Sequence, residues 1–436
     1  MDWHETEFYL FVHFGPNTFT DAEWGHGTES EDIFNPTALD CAQWCRIAKA
    51  AGAKGIIITA KHHDGFCLWP SKYSTHTVRE SPWKGGKGDV LRELAEACRH
   101  HGLKLGFYLS PWDRNHPLYG SPEYNEAYVS TMTELMTQYG PLFEFWWDGA
   151  NGEGPNGRRQ VYDFQRFERE AARLQPNAVV FSDIGPGCRW AGNEQGTVQE
   201  TNWCLLDTAG YARGIGAPPQ DTLQRGNFKG KNWIPAECDV SIRPGWFYHA
   251  EEDNRVKSSA QLFDIYLRSV GRGANLILNV PPDRRGLFHP KDSAALVQFG
   301  EKLRRSFACN LASQQPVFVR AGKRWKKCPT LSDGDRRSAQ AVGGRAGAVL
   351  ELRLSKRQRF NCVRIQEAIE HGQQVCAFQV EVKHQGKWQQ VAQSTTIGPR
   401  KILMFDAVEA DRLRVRIMGA KDVPRLTEVE LYLVEP

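Results

Sequence analysis

The stretch EFWWDGAN, Glu144 to Asn151, sets one carboxylate, Asp148, behind two tryptophans and ahead of a glycine and an asparagine. An acid so placed either caps a loop or is a reactive group held against an aromatic wall. A second stretch, KHHDGF (Lys61 to Phe66), places His62 beside His63. Neighbouring histidines look like metal ligands, but adjacent residues on a strand point to opposite faces and need a loop to converge. The chain has no HExxH motif. The pair therefore reads as hydrogen-bonding partners for ligand hydroxyls, and neither a metal nor a cofactor is expected. A third stretch, HFGPNTFTDAEWGHGTE, holds His13 and the pair Glu23-Trp24, an acid–aromatic–histidine set that suits a polyhydroxylated ligand. The fourth is GCRWAGNEQG, where Glu194 sits in a glycine-rich, tryptophan-containing loop with little packing reason to be there.

These residues need a scaffold that brings them together. Apolar runs read as strands at Glu7–Gly15, Ala53–Gly65, Leu103–Pro111, Leu142–Gly149, Ala178–Gly185 and Ala274–Pro282. A sixth and seventh are expected near VQETNW and NWIPAECDVS. Helices alternate with them: one opens at Asp40 and stops at Gly52, one opens at Asp89 and stops at Gly102, and one starts on Ser121-Pro122 and runs to Tyr139. Strand–helix alternation implies parallel strands with crossover helices. Near-continuous apolar strands fit a sheet buried on both faces. Eight such units predict an α/β fold, a (β/α)₈ barrel over residues 1–309, whose chemistry lies at the strands' C-terminal ends. His13, His62, His63, Tyr108, Asp148 and Asp183 all fall there. Two carboxylates on one barrel face suit glycoside hydrolysis, one attacking the anomeric carbon and one protonating the leaving oxygen. Their surroundings must then push their pKa values apart.

Beyond residue 310 the texture changes to short alternating runs such as AVLELRL, AFQVEVKH and RLRVRIM, separated by turns such as SDGDRRS and VGGRAG. This predicts an antiparallel β-sandwich over 310–436. The net charge of +4 is too small at this length to argue for nucleic acid or a membrane surface. Fourteen tryptophans, many beside charged residues in loops, tilt the reading toward a carbohydrate, because sugar rings lie well on flat aromatic faces. The eleven cysteines are odd in number and scattered, with no CxxC pair, so no disulfide framework is expected; Cys41 and Cys45 share one helix face. No run of about 18 apolar residues is present, so no transmembrane helix is expected. No signal-peptide pattern opens the chain, which reads as cytoplasmic, or as periplasmic or secreted if an export signal has been removed.

The segments FVHFGPNTF, EWG, AKHHDGF, GFYLSPWD, WWDGANG and LILNVPP, in that order over about residues 5 to 300, resemble family 29 glycoside hydrolases, the retaining α-L-fucosidases. The C-terminal part is similar to the β-sandwich that follows this barrel. LSDGD and LTEVELYLVE also resemble discoidin-type carbohydrate-binding modules, without the aromatic usual after DGD. The resemblance implies Asp148 as nucleophile and His13, Glu23, Trp24, His62, His63, Tyr108 and Trp146 as contacts to fucose. GNEQG and SIRPGWFYH (Ser241 to His249) resemble the branch acting on α-1,3/1,4-linked fucose of branched glycans. That implies Glu194 as acid/base, Trp246 near the fucose methyl group and Arg243 shaping the site. The substrates implied are fucosylated oligosaccharides or glycoconjugates. Other readings stay open: α-1,2, α-1,6, galactosidase or broad aryl-fucosidase specificity, a fucose-binding protein on an inactive barrel, or a metal-dependent hydrolase using His62 and His63.

Overall fold

The structure is a computed structural model and describes residues 1–321, 324–344 and 347–435. Arg345 and Ala346 of the VGGRAG turn, and Pro436, lie outside the described residues. Eight parallel strands close a barrel in chain order: Phe8–Val12, Gly55–Lys61, Lys104–Leu109, Glu144–Trp146, Val179–Ser182, Cys188–Trp190, Ala236–Ser241 and Asn275–Asn279. The first strand pairs with both the second and the eighth, which completes the closure.

The barrel wall is buried on both faces, which is why its strands are apolar without a break. Tyr9, Phe11, Ile57, Tyr108, Trp146, Phe181 and Ile277 fill the interior as one cluster. The alternate residues, such as Leu10, Ile56, Phe107 and Phe145, face the helices. Helix Cys41–Ala51 shows how the outer layer docks. It buries Cys41, Trp44, Cys45, Ala48 and Ala51, spaced to form one stripe. Asp40 caps its first turn by accepting the amide of Gln43, and Gly52 ends it in the left-handed region at φ 88°. Asp89 and Asp163 cap helices Val90–His101 and Phe164–Leu174 in the same way. Replacing fully buried Trp44 by Ala would cost on the order of 3–5 kcal/mol.

Two expectations fail here. The sixth barrel strand is Cys188–Trp190, not VQETNW. The fifth and sixth strands are joined by residues 183–187 with no helix between them, so the alternation rule had nothing to find. Glu194 therefore follows the sixth strand rather than the fifth. The VQETNW segment instead meets the C-terminal domain: Thr201 bonds Thr395 at 2.9 Å and the Asn202 amide donates to Thr396 at 3.0 Å. Likewise Ser121-Pro122 does not open its helix. That helix is Tyr124–Gln138, and residue Glu123 before it provides no side-chain cap.

The last barrel helix ends at Phe307, and an antiparallel β domain follows. Two strands of 20 residues, Ala348–Glu367 and Lys401–Ala420, form its spine. Register shifts between Arg353 and Gln358 and between Phe360 and Cys362 break their pairing. Before the breaks Ala348–Glu367 pairs with Val317–Ala321, and after them with Arg425–Tyr432. Bulges bend strands, so one chain serves two layers around a single core of Leu350, Leu352, Val363, Ile365 and Val415. The domain is tied to the barrel by polar contacts. Gln373 accepts the Cys204 amide at 2.8 Å, and Arg400 pairs with Glu7 at 2.6 Å. Lys401 reaches the carbonyl of Glu200 at 2.7 Å, and burial pulls its amine down to about 7.

Candidate active site

At the C-terminal end of the barrel a cavity of about 230 Å³ is lined by His13, Glu23, Trp24, His62, His63, Tyr108, Trp146, Asp148, Glu194 and Trp246. Phe11, Ala150 and Asp239 complete the wall. The volume is below the roughly 300–1,000 Å³ of clefts that take drug-sized ligands, so it suits one small ring. A larger depression of about 780 Å³ shares none of these residues.

Asp148 stands just beyond the fourth strand. Its Oδ2 accepts the Tyr108 hydroxyl at 2.9 Å and its Oδ1 accepts the Ala150 amide at 2.7 Å. The side chain is 26% exposed, open to a ligand yet fixed at both oxygens. The two tryptophans before it alternate as a strand requires. Trp147 packs outward on Phe164 and Phe167, while Trp146 faces inward. Trp146 stacks on Phe181 at 3.8 Å and 7°, and its indole donates to Glu237 at 2.8 Å. Gly149 has no room for a side chain: a Cβ there would lie 2.3 Å from Asp183 Oδ2. Burial, and then the charge of Asp148, push Asp183 up to about 6.

Three histidines form the opposite wall, and burial holds all of them neutral. His13 is pulled down to about 4. His62 is pushed well below the usual range by burial and by the other two rings. His63 is lowered by burial, partly offset by Asp148. Their tautomers follow from their partners. Asn279 donates through Nδ2 to the Trp246 carbonyl at 2.7 Å, so its Oδ1 faces His13 Nδ1 at 2.8 Å. An amide oxygen only accepts, so His13 Nδ1 carries the proton and Nε2 remains an acceptor. His63 Nδ1 meets Ser110 Oγ at 2.7 Å, and that hydroxyl already donates to the Trp112 carbonyl. His63 Nε2 is thereby left facing Asp148 Oδ2 across 3.8 Å, too far for a hydrogen bond. His62 Nδ1 makes no hydrogen bond and lies 4.0 Å from Asp64 Oδ2. A ligand with several hydroxyls meets free acceptors here.

Glu194 is exposed on its loop and is held by one long bond, from the Trp246 indole at 3.3 Å. Asp239, inside the wall nearby, was not anticipated. It lies in the seventh strand, two residues before its end, on the inward face, and accepts the Trp190 indole at 2.9 Å. Burial first, and then the Glu194 charge, raise it well above the usual carboxylate range. An acid near a strand end was the available signal, but it lay in a strand whose limits the sequence left vague. Glu23 lines the cavity while accepting the amides of Trp246 and Phe247 at 2.9 and 3.0 Å. Trp24, 57% exposed, stands edge-on to His63 and Trp112 at the rim.

Arg243 does not belong to this wall. It is fully buried behind it, paired with Asp292 at 2.8 Å and Asp253 at 3.0 Å and stacked over Tyr248. Those carboxylates draw the guanidinium away from the cavity, so it braces the loop carrying Trp246 rather than touching a ligand. His62 and His63 do not gather a third donor. Among the described residues, the one metal-competent cluster is Glu144, Cys188 and Glu237 in the barrel interior. It is engaged by Trp3, Tyr9 and Trp146.

A parallel barrel whose catalytic end gathers carboxylates, neutral histidines and stacked aromatics around one small cavity defines a carbohydrate-active barrel enzyme. A family model described as alpha-L-fucosidase matches residues 1–306. Alpha-L-fucosidase 1 of Arabidopsis thaliana is 42% identical over 442 residues, spanning 99% of this chain and 86% of the relative. A Ruminococcus gnavus family 29 fucosidase solved in complex with fucose superposes with a TM-score of 0.90 at 28% identity, covering 100% of this chain and 94% of the other. A glycoside hydrolase 29 family member from an unknown rumen bacterium has a TM-score of 0.87 at 39% identity, covering 100% and 76%. The chain belongs to the α-L-fucosidases of glycoside hydrolase family 29.

Proposed function

We propose that this enzyme releases terminal α-1,3/1,4-linked L-fucose from branched, Lewis-type glycans with retention of configuration, by double displacement. One observation carries the reading: Asp148, pinned by two donors, and Glu194, tethered by Trp246, line the same cavity. Asp148 attacks the anomeric carbon. The Tyr108 hydroxyl and Ala150 amide favour its charged form and hold it on line. Glu194 protonates the departing oxygen, then serves as base for the water that hydrolyses the fucosyl-enzyme.

Charge supports the same roles. The lining includes the carboxylates of Asp148, Glu194 and Glu23, beside an Asp239 inclined to stay neutral, and no lysine or arginine. Such a field favours the positive, oxocarbenium-like transition state of glycoside cleavage. The neutral histidines offer acceptors to sugar hydroxyls without opposing that charge. Trp146 offers the ring a flat apolar face, and Trp246 lines the same cavity, where the resemblance assigns it to the fucose methyl group. The linkage assignment rests on the two motifs of the α-1,3/1,4 branch. Their meeting across the Trp246–Glu194 bond favours it, because the acid that protonates the leaving group belongs to the loop facing the aglycone.

The test is a panel of linkage-defined fucosylated oligosaccharides beside a simple aryl fucoside. Fast release from branched α-1,3/1,4 substrates with little aryl-fucosidase activity supports the assignment. The reverse order overturns the linkage, and tight binding without release would leave a fucose-binding protein.

A further inference from the structure

Trp246 must hold its indole against Glu194 from a loop, 241–249, that has no helix of its own. A carboxylate–imidazole–carboxylate chain braces it. Asp21 closes the short helix Pro16–Thr20 in the left-handed region, φ 59°, a conformation Asp tolerates better than most residues. Its Oδ1 lies 2.7 Å from His249 Nδ1, and Glu23 Oε1 lies 2.7 Å from His249 Nε2. Carboxylate oxygens only accept, so the ring bonds both neighbours only when each nitrogen carries a proton. Glu23 also accepts the amides of Trp246 and Phe247. Three donors leave it about one acceptor site for a ligand.

The other charged groups packed here act on backbone rather than on the ring. Arg243 Nη1 donates to the His249 carbonyl at 3.3 Å, and Glu252 Oε2 accepts the Gly245 amide at 3.1 Å. Asp253 faces both Arg243 and His289. Gly245 lets the loop close on the ring, since a Cβ there would fall 2.9 Å from His249 Cδ2.

We propose that His249 is a positioning residue: as an imidazolium clamped between Asp21 and Glu23, it fixes the Trp246 loop and, through the Trp246 indole, the carboxylate of Glu194. Its catalytic consequence rests on Glu194 being the acid/base; the clamp itself does not. Burial lowers the His249 pKa, but the bonds to Asp21 and Glu23 more than offset this and raise it above the ordinary 6.5. The clamp is therefore complete while both ring nitrogens carry a proton, and it persists to a higher pH than an ordinary histidine would allow. It loses one bond as the pH climbs through the raised value.

Two measurements test this on the full-length enzyme. The first follows the His249 ring by NMR through a pH titration, in wild type and in Asp21→Asn, which keeps a residue tolerant of the left-handed turn on an exposed site. The ring should stay protonated above pH 6.5 in wild type and titrate lower in the variant. The variant should also lose about threefold in kcat/KM at pH 8 and nothing at pH 5.5. A wild-type ring titrating at or below 6.5 overturns the clamp. The second compares His249→Phe on two substrates, a dinitrophenyl fucoside that leaves without a proton and a fucosyl disaccharide that needs one. About tenfold loss in kcat on the disaccharide with less than twofold on the activated fucoside supports positioning of Glu194. Equal losses, or none, overturn it. Failure of the Glu194 reading shows separately, as an absence of azide rescue in Glu194→Ala.

Discussion

The two walls that carry the reacting carboxylates are built in opposite ways. Asp148 sits two residues past its strand's last ladder pair and is bonded at both oxygens by groups of the barrel. Glu194 sits on a loop flanked by Gly192 and Gly196, is exposed, and has one bond at 3.3 Å. A nucleophile must meet one carbon along one line, so rigidity serves it. An acid/base must change protonation state twice in a turnover and meet whatever aglycone arrives, so solvent access and a looser tether serve it. The adjoining acids divide in the same sense. Asp183 is raised by burial beside Asp148, and Asp239 by burial beside Glu194, so each reacting carboxylate has a neighbour inclined to stay neutral.

Removing the rigid wall should have the largest effect. Asp148→Asn is expected to lower kcat/KM by ~10⁴-fold or more with an unchanged melting temperature, as for loss of other covalent nucleophiles. Near-normal turnover in a folded variant would end its assignment as nucleophile. Removing the looser wall should cost less and depend on the substrate. Glu194→Ala is expected to lose about 10²–10⁴-fold on a disaccharide and far less on an activated aryl fucoside. Azide should restore its activity, but not that of Glu200→Ala or Glu237→Ala. Rescue of either of those instead would move the acid/base elsewhere.

The smallest effect concerns stability. Asp183 has a folded pKa of about 6 against an ordinary value of 3.8. Its contribution is favourable below the unfolded pKa and is lost as the pH rises through 6. The shift corresponds to about 3 kcal/mol. Asp183→Asn should therefore be more stable than wild type at pH 8 by up to that amount, with the gap closing toward pH 4. Denaturant unfolding at the two pH values measures it, and a gap independent of pH would contradict the burial argument.

Much of this architecture was legible in the residues. Asp40, Asp89, Gly52 and Gly102 marked helix ends by local hydrogen-bonding chemistry, which needs no tertiary context. Strands such as Gly55–Lys61 showed as unbroken apolar runs because both faces are buried. Cys188–Trp190 did not show. It is short, and its middle residue is Arg189, buried by carbonyls of Leu223 and Trp203 that come from distant chain. Arg243 entered as shaping the site through the resemblance of SIRPGWFYH, which says nothing of where the guanidinium turns. Asp253, ten residues on, and Asp292, 49 residues on, claim it only once the loop and the last barrel helix have packed together.

The sequence by itself determined the barrel class, the end of the barrel where chemistry sits, and the identity of nearly every cavity residue. The barrel class follows from periodicity and capping, and the cavity residues from local motifs together with the resemblance those motifs carry. The tertiary structure decided which side chains meet. It set Glu194 against Trp246, His249 between Asp21 and Glu23, and Arg243 behind the wall rather than in it. Hydrogen bonds and burial depend on distances between remote segments, and these exist only once the barrel has closed.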